Sequence, residues 1–559
     1  MPWRLGLIPL AALIAVLPLI RNGCSCGHDF DFHLVSWFES ANQFSHGALY
    51  PHWAFTPAFN AGEPRFVFYP PLSWMLGALL GLLLTHLPGV SEAGGWNVAP
   101  IMFTWIALTA SGLTFHRLAR SFVSSNAAVL AAVVYLANPY MLFTAYERTA
   151  YGELLAAAWI PLLFHAMLQE RIRISRVALP LALLWLTNAP AAVMGSYTLA
   201  LLAAIRVISA VGSTEKRAAL QLALGTLGGG TLGLCLAAFY VVPAALERRF
   251  VHIAMATITG MRIDQNFLFE HTGTTPDDLA HDQVLHTASW IAVGMLIATA
   301  IALTGAALRR KREPAAPGFP TLPLAILTAG IAFLLTPLSL PLWNHAPEAA
   351  FLQFTWRLLA ILAPIFTLGV ANALNRYPIR FLAAAASAIV VAVALTLPNY
   401  RAFQQPCDDE DATSARLALF HSTAGTDPTD EYTPATADND ALMQNAPPYW
   451  LAASATAPPP ATKQRGPAPM HFNLTTPEAE ELILNLRDYP AWQVSISGVF
   501  AAHPATRKDG LIAVAIPAGS STVDVRYARL QDQVVGDAIS AFALIVWIGT
   551  FWIEPRIPF

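Results

Sequence analysis

Long apolar segments separated by short basic loops constrain this chain more than any other feature. About twelve of them are long enough to cross a hydrocarbon layer of roughly 30 Å. Of the 559 residues, 55% are hydrophobic and only 12% are charged, which excludes a soluble globular domain. The sequence therefore predicts a polytopic α-helical membrane protein. We place the spans at 5–20, 97–115, 126–140, 150–168, 177–190, 191–207, 218–243, 287–308, 320–337, 357–374, 379–397 and 536–554.

The basic loops predict the orientation of these spans. The loops HRLARS, QERIRISR, STEKRAA, RRKRE and NRYPIR all lie on the cytoplasmic side if the N-terminus is cytoplasmic, as the positive-inside rule requires. This count holds only if the apolar stretch 70–87 does not cross. We expect that stretch to lie in the outer interface, because Pro70 and Pro71 suit the first turn of a helix. The first helix lacks a small-residue cleavage signal and is expected to remain uncleaved.

The same count defines the predicted domains. Residues 1–398 form the transmembrane domain, with a first extracytoplasmic loop at 21–96. Residues 399–535 form a small β-rich extracytoplasmic domain with a Pro-rich linker at 456–468, and residues 536–559 return as a C-terminal transmembrane helix. Strands are predicted from runs in which every second residue is apolar. These runs contain Leu482, Leu484 and Leu486; Trp492, Val494 and Ile496; and Val523, Val525 and Tyr527. Trp492 and Tyr489 are expected in the core, with sugar stacking as the alternative.

Composition and cysteine spacing exclude several classes of protein. The net charge of −3 and the lack of a basic run with interleaved aromatics give no support for nucleic-acid binding. The four cysteines have neither a disulfide-framework pattern nor a metal-binding pattern. Cys24 and Cys26 are too close in sequence for an easy bridge. We expect all four to be structural or incidental.

Polar residues that suit catalysis gather at the predicted outer ends of the spans. The segment GHDFDFHL carries Asp29, Asp31 and His33, where one aspartate is alternatively a helix cap. YERTAYGE carries Arg148 and Glu153, which alternatively pair with each other. The other two segments are FLQFTWRLL and the aromatic loop 50–74. FLQFTWRLL carries Arg357, whose side chain alternatively only snorkels toward the membrane surface. The predicted span interiors contain almost no ionisable residue, which disfavours an ion-coupled transporter.

These motifs, taken in order, resemble those of a bacterial integral-membrane family labelled 6-pyruvoyl-tetrahydropterin synthase-related. The resemblance rests on GHDFDFHL, LYPHW, FVFYPPL, YERTAYGELLA, AAFYVVPA, LQFTWRLL, DEYTP and DYPAWQVSISG, and covers nearly the whole chain. It implies an architecture similar to the GT-C glycosyltransferases and says nothing of pterin chemistry. The implied location is the bacterial inner (plasma) membrane. Thr355 and Asn188 depart from the pattern, which has proline and histidine there, so a catalytic histidine in the turn at Asn188 is not supported.

The resemblance implies transfer of a sugar from a polyprenyl-phosphate donor by an inverting displacement at the extracytoplasmic face. The acceptor is an envelope glycan or lipid. Asp29 or Asp31 is the implied base, with Asp29 preferred, and Glu153 supports it. Asp31 and His33 position the acceptor, or with Asp29 hold a divalent metal, an alternative that stays open. Arg148 and Arg357 are the candidates for the donor phosphate. The same motifs supply the further substrate-binding candidates His28, Tyr69, Gln353 and Trp356.

Two other functions remain as alternatives. One is a non-enzymatic membrane protein of the same fold whose outer domain binds or presents an envelope polymer. The other is a flippase for a lipid-linked glycan. The carboxylates beside the membrane favour an enzyme over a presenting protein, and the charge-poor spans disfavour a flippase.

Overall fold

The computed structural model describes residues 2–212, 216–312, 318–452, 466–503 and 507–554. Helices account for most of them, and strands occur only in the C-terminal part. The helices of the first half are α1 (Leu7–Asn22), α2 (Phe30–Ser45), α3 (Arg65–Phe68), α4 (Pro71–Thr85), α5 (Glu92–Ala119), α6 (Ser125–Leu136), α7 (Pro139–Tyr146), α8 (Tyr151–Ala156), α9 (Ile160–Leu168), α10 (Ile174–Thr187), α11 (Ala189–Gly212), α12 (Lys216–Leu236) and α13 (Ala238–Glu247). Those of the second half are α14 (Pro276–Arg312), α15 (Thr321–Leu334), α16 (Leu340–His345), α17 (Leu359–Leu374), α18 (Phe381–Phe403), α19 (Thr413–Phe420) and α20 (Gln531–Ile553).

The prediction of a polytopic helical membrane protein with a small β domain is confirmed. Within the described ranges, ten helical segments are long and apolar enough to span a membrane, and each overlaps a predicted span. The predicted span 320–337 corresponds to the helix Thr321–Leu334. After a short break the chain continues as the helix Pro337–His345, and the two helices are bent by 96° relative to each other. The predicted span 177–190 corresponds to α10, which has 14 residues and is too short to belong with the ten. The stretch 70–87 contains α4, also short at 15 residues.

The first outer loop is compact and built around buried charge. Glu63 and Arg65 are both buried, and the Arg65 Nε donates to Glu63 Oε1 at 2.8 Å. Glu63 Oε2 accepts from the backbone N–H of Thr429 at 3.0 Å, and Arg65 also donates to the Thr429 hydroxyl at 2.9 Å. The acidic segment that follows α18 therefore lies against this loop, and its helix α19 packs on α2 and α5.

The C-terminal strands form two antiparallel sheets. They are β1 (Tyr449–Leu451), β2 (His471–Thr476), β3 (Glu480–Arg487), β4 (Trp492–Ile496), β5 (Val499–Ala501), β6 (Leu511–Ile516) and β7 (Gly519–Tyr527). The strand orders are β1-β3-β6 and β2-β7-β4-β5. The three predicted period-two runs lie on β3, β4 and β7, and their leucine, valine and isoleucine side chains are buried. Most of the predicted linker 456–468 falls on 453–465, outside the described residues.

Two aromatic residues of this domain belong to its core. Tyr489 and Trp492 are buried, and both rings pack against Trp53 of the first outer loop, at 5.7 and 5.4 Å between centroids. The alternative that they stack on a sugar is therefore wrong. The same contacts attach the β domain to the transmembrane part.

The structure contains a disulfide that the sequence did not predict. Cys26 and Cys407 form a disulfide with a Cα–Cα distance of 4.9 Å, although 381 residues separate them in sequence. Cys24 and Cys235 are free. The spacing gave no sign of this pairing, because the bridge depends on the segment after α18 returning to the start of the first outer loop. The backbone N–H of Cys26 also donates to the Gln405 carbonyl at 3.1 Å.

Candidate functional site

Asp29 stands at the N-cap position of α2, immediately after the disulfide-linked turn. Its backbone N–H donates to the Arg148 carbonyl at 3.0 Å, which holds the turn against the segment between α7 and α8. Gly27 allows this approach, because a Cβ there would lie 2.1 Å from the Glu147 carbonyl oxygen. The Asp29 side chain makes no capping hydrogen bond and remains 29% exposed. The Asp29 carboxylate therefore does not cap the helix.

Arg148 connects Asp29 to Glu153. Its Nη1 donates to Glu153 Oε2 at 2.6 Å, and its Nη2 lies 3.6 Å from Asp29 Oδ2. The guanidinium lies over the Trp356 ring at 4.8 Å from the centroid, a cation–π contact. The side chain is only 7% exposed, so a charge of this kind needs the paired carboxylates that surround it.

Glu153 lies in the first turn of α8, as the sequence indicates, and its two carboxylate oxygens are both engaged. Oε1 accepts from the Tyr140 hydroxyl, while Oε2 faces Arg148 and lies 3.5 Å from the Arg357 Nε. The side chain is 3% exposed. A carboxylate held by two arginines and a tyrosine positions those groups and is not free to accept a proton from a substrate.

Arg357 reaches the cluster from the short helical turn that precedes α17. Its Nη1 donates to the Leu352 carbonyl at 3.0 Å and to Gln353 Oε1 at 3.2 Å. Gln353 in turn donates to the Ala256 carbonyl at 2.6 Å and has a positive φ of 60°. The Arg357 Nε is buried and makes no hydrogen bond to any described residue. This buried donor faces Glu153 Oε2 at 3.5 Å, in an ion pair rather than a hydrogen bond.

The two carboxylates and two guanidiniums balance one another, and this fixes the protonation of Asp29. Burial by itself raises the pKa of Asp29, but the His28 hydrogen bond and the Arg148 charge outweigh it and hold that pKa well below its usual range. Burial lowers the pKa of Arg148, yet Glu153 and Asp29 raise it further than burial lowers it. Asp29 and Arg148 therefore both carry their charge at neutral pH.

Asp29, Asp31 and His33, the residues of the metal alternative, do not form a metal-binding group in the described part of the chain. His28 is largely exposed and its Nδ1 lies 2.7 Å from Asp29 Oδ1. Asp31 Oδ2 lies 4.0 Å from the Arg416 Nη2, and no contact joins it to Asp29, so its part in positioning an acceptor stays a prediction. His33 is buried among aromatic rings, and its Nδ1 has no partner in the described part of the chain. These donors do not fit a metal ion, and no group of three or more potential ligands occurs within the described ranges.

The remaining candidates surround the charged cluster. The Tyr69 ring lies 5.8 Å from the His33 ring, and Trp356 packs beneath Arg148. Burial raises the pKa of Tyr69, Asp29 raises it further, and the Arg357 and Arg148 charges oppose them. Tyr140 was missed by the sequence reasoning, because nothing in its surroundings distinguishes it from other interfacial tyrosines. Only its contact with Glu153 reveals it.

No model of a known protein family matches this chain, and no curated protein sequence matches it. The resemblance to the family labelled 6-pyruvoyl-tetrahydropterin synthase-related is therefore not confirmed. Two solved structures are similar in fold. The arabinofuranosyltransferase AftD from mycobacteria is 18% identical with a TM-score of 0.43, over 76% of this chain and 29% of that one. The oligosaccharyltransferase of Archaeoglobus fulgidus, in its apo form, is 16% identical with a TM-score of 0.39, over 74% of this chain and 56% of that one.

The chain thus spans less than a third of AftD and little more than half of the oligosaccharyltransferase. By name, one of those proteins transfers arabinofuranosyl groups and the other transfers oligosaccharides. Because the overlaps are partial and the identities low, these similarities carry no conclusion about activity. Function is inferred below from the side chains.

Proposed function

We propose that this protein is a membrane glycosyltransferase that transfers a sugar from a polyprenyl-phosphate donor to an envelope glycan or lipid. The observation that carries the proposal is the single cluster of charged residues formed by Asp29, Arg148, Glu153 and Arg357, which come from three separate chain segments. A partly exposed carboxylate beside two buried guanidiniums supplies both a base and an anion site. A protein that only presents a polymer has no need for such an arrangement.

The two arginines serve as the binding site for the donor phosphate. The Arg357 Nε lies 3.5 Å from Glu153 Oε2 and the Arg148 Nη2 lies 3.6 Å from Asp29 Oδ2, and neither contact is a hydrogen bond, so both donors can turn to a phosphate oxygen. Guanidinium groups suit phosphate because their donors are paired and planar. Trp356 and Gln353 keep these two arginines in place, through a cation–π contact and a hydrogen bond.

Asp29 acts as the general base in this scheme. Its carboxylate takes the proton from the acceptor hydroxyl while that oxygen forms a bond to the anomeric carbon of the donor. The bond between that carbon and the phosphate oxygen breaks, and its electron pair stays on the phosphate. The arginines stabilise the charge that develops there. Inversion at the anomeric carbon follows, because the acceptor attacks opposite the departing phosphate.

Donor binding also adjusts the strength of the base. A carboxylate whose pKa is held low by the His28 hydrogen bond and the Arg148 charge is a weak base in the empty site. When Arg148 turns its donors toward the phosphate, its attraction for Asp29 falls and the basicity of the carboxylate rises. The base is thus stronger when the donor is bound.

We further propose that the site faces the extracytoplasmic side of a bacterial inner membrane. The positive-inside count gives this orientation, and the Cys26–Cys407 disulfide independently suits it, because disulfides persist in oxidising compartments. The β domain, attached through Trp53 to the first outer loop, lies on the same side in this arrangement.

The test is transfer from defined donors by purified protein in nanodiscs. A panel of labelled polyprenyl-phosphate sugars is incubated with envelope glycan or lipid acceptors, and the labelled product is counted. We expect at least one donor to be used, with transfer reduced about 100-fold or more in Arg148→Gln. Arg262→Gln, an exposed arginine of the outer surface, is the matched control and should retain activity. Donor binding without any transfer would favour a presenting protein, and donor translocation would favour a flippase.

A further inference from the structure

A buried carboxyl, that of Glu247, lies where α13, α20 and the β domain meet. Glu247 is the last residue of α13 and is fully buried. Its Oε2 accepts from the hydroxyl of Tyr489 in the β domain, and its Oε1 accepts at 2.9 Å from the Nε2 of Gln533 in the first turn of α20. The same Nε2 donates to the Tyr527 hydroxyl at 3.2 Å. Glu247 therefore joins the β domain to both helices.

A second carboxyl contacts the first. Asp532, the neighbour of Gln533, is in hydrogen-bonding contact with Glu247. Two carboxyl groups in such contact repel each other strongly when both are ionised, so the pair tends to keep one proton. The Oε1 of Gln533 is buried and accepts no hydrogen bond from any described residue, so acceptors outnumber donors at this position. A proton on the pair adds a donor where donors are short.

No described cation forms an ion pair with either carboxyl, because the cations on the neighbouring elements pair elsewhere. Arg529 pairs with Asp537 and Arg248 pairs with Glu348. The titratable and charged groups on the elements packed around Glu247 are Asp532, Arg529 and Asp537 of α20, Tyr489, Tyr527, Asp488 and His503 of the β domain, Arg248 and Arg249 after α13, and Tyr50 and His52 of the first outer loop. The pair thus lacks a positive partner that would keep both carboxyls ionised.

We propose that Glu247 and Asp532 form a proton-dependent clasp that holds the β domain to α13 and α20. While the pair holds one proton, the hydrogen bonds from Tyr489 and Gln533 keep the three parts together. When that proton is lost, a second negative charge enters a buried position and weakens the clasp. Burial raises the pKa of Glu247, the hydrogen bonds from Tyr489 and Gln533 lower it, and Asp532 raises it again, to about 7 overall. The clasp is independent of the proposed transfer activity.

The direction of the pH effect follows from the open and closed states of the clasp. A glutamate released to solvent has its ordinary pKa of 4.5, so between that value and about 7 the closed clasp binds more protons than the open one. Opening should therefore become about tenfold more favourable for each unit of pH rise across this window, and should level off above it.

Hydrogen exchange of the whole protein in nanodiscs tests the clasp. Exchange of backbone amides in the first two turns of α20 and in the segment after α13 is followed by mass spectrometry across the window, and each rate is divided by the intrinsic rate at that pH. Glu247→Gln keeps the shape of a protonated carboxyl. Glu481→Gln, which alters an exposed carboxyl on β3, is the matched control. Infrared difference spectra of the same proteins record whether a protonated carboxyl is present.

We expect protection of these amides in the parent to fall about tenfold per pH unit across the window, with Glu481→Gln following the parent. Glu247→Gln should stay protected throughout, and should lack a protonated-carboxyl infrared band that the parent shows below about pH 7 and loses above it. Asp532→Asn should shift the titration of that band to lower pH, because it removes the neighbouring charge. A slope that persists in Glu247→Gln would overturn the clasp, and so would a parent spectrum without the band or a titration unmoved by Asp532→Asn.

Discussion

Replacing Glu153 by glutamine separates the positioning of the arginines from the chemistry of the base. In the parent protein the four charges of the cluster cancel. The glutamine keeps the shape of the side chain and one acceptor for the Tyr140 hydroxyl, but it removes the negative charge next to Arg148 and Arg357. The variant cluster carries one net positive charge in a buried position.

The structure sets the size of the effect. Glu153 is 3% exposed and the Arg148 side chain 7%, so this is a buried pair. Removing one partner of a buried pair costs about 3–5 kcal/mol, and the retained amide oxygen favours the lower end of that range. Loss of the anchor also lets Arg148 move relative to Asp29, and a displacement of about 1 Å in a catalytic group lowers a rate about 100-fold. Binding of the donor phosphate should be unchanged or tighter, because the net charge is now positive.

The assay compares Glu153→Gln with Glu63→Gln, which alters an equally buried carboxylate that pairs with Arg65 outside the cluster. Both variants should be destabilised in chemical denaturation, but only Glu153→Gln should lose transfer at a temperature where both remain folded. Equal transfer rates for the two variants would refute the positioning role of Glu153. A loss of donor binding in Glu153→Gln would also contradict this account, which predicts unchanged or tighter binding from the added positive charge.

Three further predictions concern the elements around the site. Cys407→Ser should lower the free energy of unfolding by about 2–5 kcal/mol, because it removes the disulfide with Cys26. A reductant should lower the free energy of unfolding of the parent protein to the same value. If the reductant also destabilises the variant, the disulfide is not the cause. Burial lowers the pKa of His33 from 6.5 to about 4, so the unfolded chain takes up a proton first as the pH falls between those values. The free energy of unfolding should therefore fall by about 1.4 kcal/mol for each pH unit by which the pH is lowered across that window. In His33→Gln this fall should be absent. Identical profiles of unfolding free energy against pH for the parent and the variant would show that His33 is not held neutral. Gly27→Ala should displace the turn that carries the base, because its Cβ would lie 2.1 Å from the Glu147 carbonyl oxygen, whereas Gly6→Ala, with nothing within 4 Å, should leave transfer unchanged.

Hydropathy predicted the spans well, because a membrane helix must satisfy its own backbone hydrogen bonds and expose apolar side chains to lipid. The failures have local causes. The span predicted at 177–190 ends at Thr187, since Asn188 leaves the helical conformation and begins the cap of α11. The span predicted at 320–337 ends in a bend of 96°, which apolar composition cannot reveal. The alternation of apolar and other residues predicted the strands β3, β4 and β7, because each of these strands buries at least one face.

The candidate site was predictable in its residue types and only partly in its geometry. Asp29, Arg148, Glu153 and Arg357 were all marked by polar character at the outer ends of the spans, and they converge. Asp31 carries the same sequence signal as Asp29, but a helix turns it toward Arg416. Cys407 and Tyr140 act through contacts distant in sequence or dependent on side-chain direction, and no local pattern records either.

The most direct test of the central claim is the rate of sugar transfer by Asp29→Asn with a donor that the parent protein uses. The amide keeps the shape of the side chain but cannot accept the proton of the acceptor hydroxyl. We predict that transfer falls by about 10²–10⁴-fold while donor binding persists, and that Asp31→Asn keeps near-parental transfer. Full activity in Asp29→Asn, or loss of activity in Asp31→Asn alone, would contradict the assignment of Asp29 as the base.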